Sequence, residues 1–136
     1  MSPLPRVLFV CIENACRSQM AQGFARRHGT GQVEAFSAGS KPSGIVNPRA
    51  IAFMAERGVD IAAHASRSLD AFAGQSFDAV VTMGCGDACP SLPARIREDW
   101  ALPDPKLLPD AQFRDVRDEI ERRVLDLLAR LSGDRE

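Results

Sequence analysis

A cysteine and an arginine six positions apart bracket the run Cys11-Ile-Glu-Asn-Ala-Cys-Arg17-Ser18, between an apolar segment and a segment of helical periodicity. A loop curled over these residues can aim successive backbone N–H groups at one point, where the dipole of a following helix also favours negative charge. The guanidinium of Arg17 adds a planar fork for two oxygens of an anion. The same positive surroundings are expected to lower the pKa of the Cys11 thiol and make it a nucleophile at neutral pH. Ser18 can donate a hydrogen bond to that thiolate, and Asn14 can brace the loop. Residues Cys11, Ile12, Glu13, Asn14, Ala15, Cys16 and Arg17 thus form a candidate cradle for a tetrahedral oxyanion. The spacing of cysteine and arginine is a weak signal alone; its strand-loop-helix setting makes it specific. The plainer reading is a core thiol at a strand end and a surface arginine. Cys16 reads best as a small hydrophobe packed under the loop, and Glu13 as a side chain turned outward.

The elements that must hold this loop can be read from hydrophobic period. Arg6-Val-Leu-Phe-Val10 is a continuous apolar run, as in a parallel strand buried on both faces. From Arg17, Met20, Ala21, Phe24 and Ala25 recur at helical spacing until Gly29 and Gly31. Val33 to Ser37 reads as a second strand. Asn47 as N-cap and Pro48 at the first helical position start another helix, with Ile51, Ala52 and Ala55 expected on its buried face and Gly58 as its C-cap. Ser66 to Phe72 is expected to hold a short helix. Asp78-Ala-Val-Val-Thr-Met83 is a second buried-strand run, and it delivers Cys85 and Cys89 just beyond its end. A proline-punctuated stretch from Pro90 to Pro109 follows. Val116, Ile120, Val124, Leu127, Leu128 and Leu131 then predict a terminal amphipathic helix, with Glu119 and Arg123 as an exposed i,i+4 pair. Alternating strands and helices imply a three-layer α/β fold with a parallel sheet, whose ligands bind at the carboxyl ends of strands.

The 136 residues suit one domain, and 17 basic against 18 acidic residues leave no net field for a nucleic acid or an anionic membrane. The run Val7 to Val10 is too short to cross a bilayer, and Met1 to Arg6 lacks the regions of a signal peptide, so a cytoplasmic address is expected. Four cysteines, at 11, 16, 85 and 89, are not needed as a disulfide scaffold at this size. Catalysis, redox exchange and metal binding remain open for them. A four-thiolate zinc site would consume the nucleophile and leave Arg17 without purpose, so no metal is expected. His28 reads as a helix-end residue, His64 as a core or loop histidine, and Trp100 as packing beneath the segment that carries Asp104.

The chain resembles the low-molecular-weight tyrosine phosphatase fold family through Cys11 to Ser18 and the later Asp104-Pro105. Within it, the sequence is more similar to the thioredoxin-coupled arsenate reductases. The stretches that carry this likeness are Cys11 to Gly23, Ser37-Ala-Gly39, Asn47-Pro-Arg-Ala-Ile51, Val80 to Pro90, Trp100 to Pro105 and Arg117-Asp-Glu-Ile120. The resemblance implies a four-stranded parallel sheet of flavodoxin-like order 2-1-3-4.

It also implies a division of labour. Cys11 would attack arsenate, held by Arg17 and the loop amides, with Ser18 supporting the thiolate and Asp104 acting as general acid. A second cysteine, Cys85 by position, would then attack the Cys11 sulfur and release arsenite. Cys89 would resolve that disulfide, and an external thiol reductant would regenerate the pair. Thioredoxin is the reductant implied; glutaredoxin, glutathione and mycothiol would use the same chemistry. No bound cofactor is implied. Some relatives hold potassium through an asparagine, a glutamate, a serine and an aspartate, where this chain has Asn14, Gln22, Ser37 and Arg67. The rival expectation is a phosphatase using the same Cys11, Arg17 and Asp104. Against it, phosphatases of this fold use aromatic rims, often tyrosines after the Asp-Pro pair, whereas this chain has no tyrosine and continues Lys106-Leu-Leu-Pro109.

Overall fold

The structure, a computed structural model, describes residues 4–84 and 92–134. Cys85 and Cys89, with the chemistry expected of them, lie outside the described residues. The described chain runs β1 (Arg6–Cys11), α1 (Arg17–His28), β2 (Glu34–Gly39), α2 (Pro48–Ala55), a 3-10 turn (Leu69–Phe72), β3 (Phe77–Thr82), β4 (Ala94–Asp99), a second 3-10 turn (Pro105–Leu107) and α3 (Asp110–Asp134). The strands form one sheet in the order β2-β1-β3-β4, with every pairing parallel. The expected order is therefore observed, and β1 and β3 are the two central strands. The side chains of Val7 to Val10 and of Ala79 to Val81 are all buried, as expected for strands with an apolar neighbour on both faces.

Alternate residues of β1 face two cores. Val7, Phe9 and Cys11 join α1, α2 and α3 in the larger one; Leu8 and Val10 face a smaller one with Leu69, Phe72 and Phe77. All three α-helices thus pack in the same core. The third layer is thin, closed by the 3-10 turn Leu69–Phe72 and by Phe36, Phe72 and Phe77, whose rings meet edge to face at 5.7–6.1 Å. The short helix expected from Ser66 is this 3-10 turn alone, capped by the Ser68 hydroxyl accepting from the Asp70 N–H.

Helix α2 begins where Asn47 and Pro48 predict, with the Asn47 side chain accepting from the Arg49 N–H. Its buried face is a correction. Ala50, Phe53 and Met54 are buried, whereas Ile51 is half-buried and Ala52 and Ala55 are exposed. In a helix of eight residues both sets fit one face by spacing; the choice is made by α3, whose Phe113 ring lies 4.6 Å from that of Phe53. The helix ends at Ala55, and Gly58 takes the left-handed conformation at φ 73° two residues after the cap Glu56. From α3, the buried Arg117 donates to the Phe53 carbonyl at 2.9 Å, satisfying an orphan carbonyl at the end of α2, and to the Glu56 carboxylate at 2.7 Å.

Strand β4 is not anticipated by the sequence reading. Ala94-Arg-Ile-Arg-Glu-Asp99 alternates half-buried and exposed residues, as an edge strand with one wetted face does. Its charge hides a period-2 pattern in a stretch punctuated by prolines. Of the stripe predicted for α3, Val116, Ile120, Val124, Leu127 and Leu131 are buried and Leu128 is half-buried against the same core, which Phe113 also joins. Glu119 pairs with Arg123 at 2.7 Å as expected. No helix among the described residues is long and apolar enough to cross a membrane.

Candidate active site

Residues 11–17 connect the end of β1 to the start of α1 at the carboxyl edge of the central strands. The carbonyls of Ile12, Glu13 and Ala15 accept from the N–H groups of Lys41, Ser43 and Asn47. In a trans peptide the next N–H points the opposite way from its carbonyl, so the amides of Glu13, Asn14 and Cys16 are turned away from that outer segment. None of the N–H groups of residues 13–17 has a protein acceptor among the described residues. Helix α1 carries no side-chain cap at Cys16 and no acidic residue in its first turn. A helix start left with free donors and no negative charge is a site for an anion.

Cys11, Ile12, Glu13, Ala15, Cys16, Arg17 and Asp104 line one pocket of about 90 Å³. A directed chain of hydrogen bonds leads to the Cys11 thiol. Asn14, held at φ 50°, donates from Nδ2 to Ser18 Oγ at 2.7 Å. With that lone pair filled, the single hydroxyl proton of Ser18 is free to point to Cys11 Sγ, 2.8 Å away. Ser18 and Asn14 thus stand within hydrogen-bond reach of the atoms that such a donor and brace would serve. Cys16 is buried beside them, as expected of a packed thiol. Burial pushes its thiol up to about 12, with Asp104 and Glu13 among the groups that add and Arg17 opposing. Cys16 therefore stays protonated at neutral pH and does not compete as nucleophile.

Arg17 is 7% exposed and donates from Nη1 to the Leu102 carbonyl at 2.9 Å, which ties the Asp104 segment to the loop. Arg49 holds the same segment from α2, donating to the Lys106 carbonyl at 2.8 Å and the Leu108 carbonyl at 2.7 Å. Asp104 caps the second 3-10 turn by accepting from the Lys106 N–H, and its exposed side chain stands at the pocket wall. Beneath this segment Trp100 is packing, as expected: it is buried, with its ring 5.8 Å from that of Phe9. Glu13 is one of the residues lining the pocket, and its half-exposed carboxylate meets Lys106 Nζ at 3.0 Å, which balances a charge that would otherwise repel an anion.

Two supporting residues were missed by sequence reading. Gln19 is fully buried and donates from Nε2 to the Asn14 carbonyl, Asn14 Oδ1 and the Ala65 carbonyl at 2.9–3.0 Å. A polar residue immediately after Ser18 on an otherwise buried helix face is the signal that marked it. Gly39 is the other. A Cβ there would lie 2.5 Å from the Ile12 carbonyl oxygen and 2.9 Å from the Asn14 nitrogen, both backbone atoms of the loop. Gly39→Ala is therefore expected to displace the loop and lower stability by about 1–3 kcal/mol, read by urea denaturation; a change under about 0.5 kcal/mol would contradict that packing.

The profile of the family described as low molecular weight phosphotyrosine protein phosphatase matches residues 6–136. The chain belongs to that family. Among its relatives, the glutaredoxin arsenate reductase of Synechocystis sp. is 40% identical over 95% of this chain and 100% of its own length. A solved structure of an arsenate reductase in the phosphate binding state is 40% identical, with a TM-score of 0.85 over 94% of this chain and 99% of that one. The thioredoxin-dependent arsenate reductase of Corynebacterium glutamicum is 34% identical, with a TM-score of 0.80 over 98% of this chain and 64% of that one. The family membership and the parallel sheet order match what the motifs around Cys11 and Asp104 imply.

Proposed function

We propose that this chain is an arsenate reductase that passes two electrons from thiols to arsenic. The observation that carries the reading is a nucleophile pocket, sized for a small oxyanion and lined by no aromatic residue among those described, in a chain 40% identical along its length to a protein named for that activity. Arsenate enters with its oxygens on the free loop amides and the Arg17 fork. The Cys11 thiolate attacks arsenic, a sulfur–arsenic bond forms, and an oxygen leaves as water with a proton from Asp104. A second thiolate, Cys85, attacks the Cys11 sulfur. A disulfide forms, the sulfur–arsenic bond breaks, and its electron pair stays on arsenic, which leaves as arsenite. Cys89 then displaces Cys11 by thiol–disulfide exchange, and an external dithiol reduces the Cys85–Cys89 disulfide. Thioredoxin is the preferred reductant, and arsenic detoxification in a reducing cytoplasm is the setting in which such a cascade works.

The test is arsenate-dependent NADPH oxidation by the reduced protein with thioredoxin and thioredoxin reductase, with arsenite measured independently. Steady turnover supports the whole reading. Turnover only with glutaredoxin and glutathione would keep the reductase and replace the reductant. No arsenite with any thiol, together with efficient hydrolysis of a phosphotyrosine ester, would transfer the pocket to the phosphatase reading.

A further inference from the structure

A second cleft of about 100 Å³ is lined by residues other than those of the Cys11 pocket. Arg26 from α1 and Arg67 from the segment after α2 both line it, with His64 between them in sequence and Gln22 and Ser37 at its floor. No carboxylate lines it. Nearly every other arginine described has an acid or carbonyl acceptor for its guanidinium; Arg67 has none among the described residues, and Arg26 uses only Nε, on the Ala35 carbonyl.

The floor adds neutral donors. Gln22 is 7% exposed, and its Oε1 accepts from the Ser37 hydroxyl. Its amide nitrogen is thereby a donor, and it has no partner among the described residues. His64 uses Nδ1 on Gln19 Oε1 at 3.0 Å, which leaves Nε2 unused. Burial pushes the His64 imidazole below its ordinary value, as does the charge of Arg26, with Asp60 opposing. Arg26 itself is lowered by burial and by Arg67. Two like charges with unused donors, beside a neutral amide donor and with no carboxylate to balance them, form a site whose repulsion is relieved by negative charge.

We propose that this cleft is a second oxyanion site, distinct from the Cys11 pocket, that takes one small tetrahedral anion of the phosphate or sulfate type. Two guanidinium forks suit paired oxygens better than a spherical halide. The volume admits a single small anion, and the Phe36 and Phe72 rings wall it. The site also touches the catalytic loop through the main chain, because the Arg67 N–H donates to Asn14 Oδ1 at 2.8 Å and the Arg67 carbonyl accepts from the Gly39 N–H.

The experiment is a residue-resolved NMR titration of the reduced protein with inorganic phosphate, at ionic strength held constant with potassium chloride. The expected result is two midpoints, one for amides of residues 12–18 and one for Phe36, Ser37 and His64. Arg67→Gln is expected to weaken the second by roughly tenfold or more, equivalent to about 1.4 kcal/mol, while the first stays within about twofold. Arg26→Gln is expected to do the same and serves if Arg67→Gln fails to fold. The proposal is overturned if the cleft amides follow the loop midpoint, if neither variant moves them, or if potassium chloride alone shifts them equally.

Discussion

Cys89→Ser is expected to complete about one turnover of arsenate reduction and then stop, with a disulfide trapped between Cys11 and Cys85. Cys11→Ser is expected to release no arsenite at all. The asymmetry follows from electron counting. Reduction of arsenic from the +5 to the +3 state takes two electrons, and the first disulfide supplies both. What the third thiol would add in the proposed cascade is regeneration, by moving the disulfide off Cys11, whose surroundings are narrow, so that an external dithiol can reduce it. Cys11 is 3% exposed, so direct reduction of a disulfide to Cys11 by a protein partner is sterically hindered. Cys16 cannot substitute as nucleophile, because its buried thiol holds its proton to about pH 12. The measurement is arsenite released per enzyme before and after adding thioredoxin, with the disulfide located by peptide mapping. Full multiple turnover by Cys89→Ser with thioredoxin would remove Cys89 from the route; a trapped disulfide to Cys16 would reassign the second thiol.

Arg17→Lys is expected to lower kcat/KM by about 10²–10³, corresponding to about 3–4 kcal/mol of transition-state stabilisation. Lysine keeps the charge but not the fork. In the native site one guanidinium nitrogen is committed to the Leu102 carbonyl at 2.9 Å, which leaves the others for the anion. A lysine ammonium is a single point and cannot hold Leu102 and two anion oxygens in one geometry. The guanidinium is also seated by Gly84, where an added Cβ would come within 2.7 Å of Nη1 and where φ is 83°. No bulkier residue fits there without moving Arg17. The loss is expected in kcat as well as KM, since the developing charge on the oxyanion is greatest in the transition state. Steady-state kinetics beside a thermal melt decide it: a variant within threefold of native activity would show that the loop amides alone carry the anion.

Cys11, Arg17, Ser18 and Asn14 were legible because their chemistry is local. A thiol, a fork and a hydroxyl within one short loop between two periodic segments can meet only in a few ways, and the strand-loop-helix setting narrows those further. The Asn47-Pro48 start of α2 and the stripe of α3 were legible for the same reason, since caps and period act over a few residues. The buried face of α2 was not: Ile51, Ala52 and Ala55 and the observed Ala50, Phe53 and Met54 satisfy the same period, and Phe113 of α3 breaks the tie. β4 escaped for a related reason. An edge strand keeps its charged residues on the wetted side, so its signal is weak until its pairing with β3 is known.

By itself the sequence determined the candidate nucleophile and anion fork, the strand and helix that flank them, and the family to which the chain belongs. Each depends on residue type and short spacing. Tertiary structure decided what lies across the pocket and behind it. Asp104 reaches the pocket although it follows Cys11 by more than ninety positions, because Arg17 and Arg49 hold its segment by backbone carbonyls that no residue pattern reveals. Gln19 and Arg67 brace Asn14 by contacts that exist only once the segment around Ala65 crosses the loop. The same crossing gathers Arg26 and Arg67 into one cleft. Charge balance at a point is a sum over space, and only the folded chain fixes which charges enter that sum.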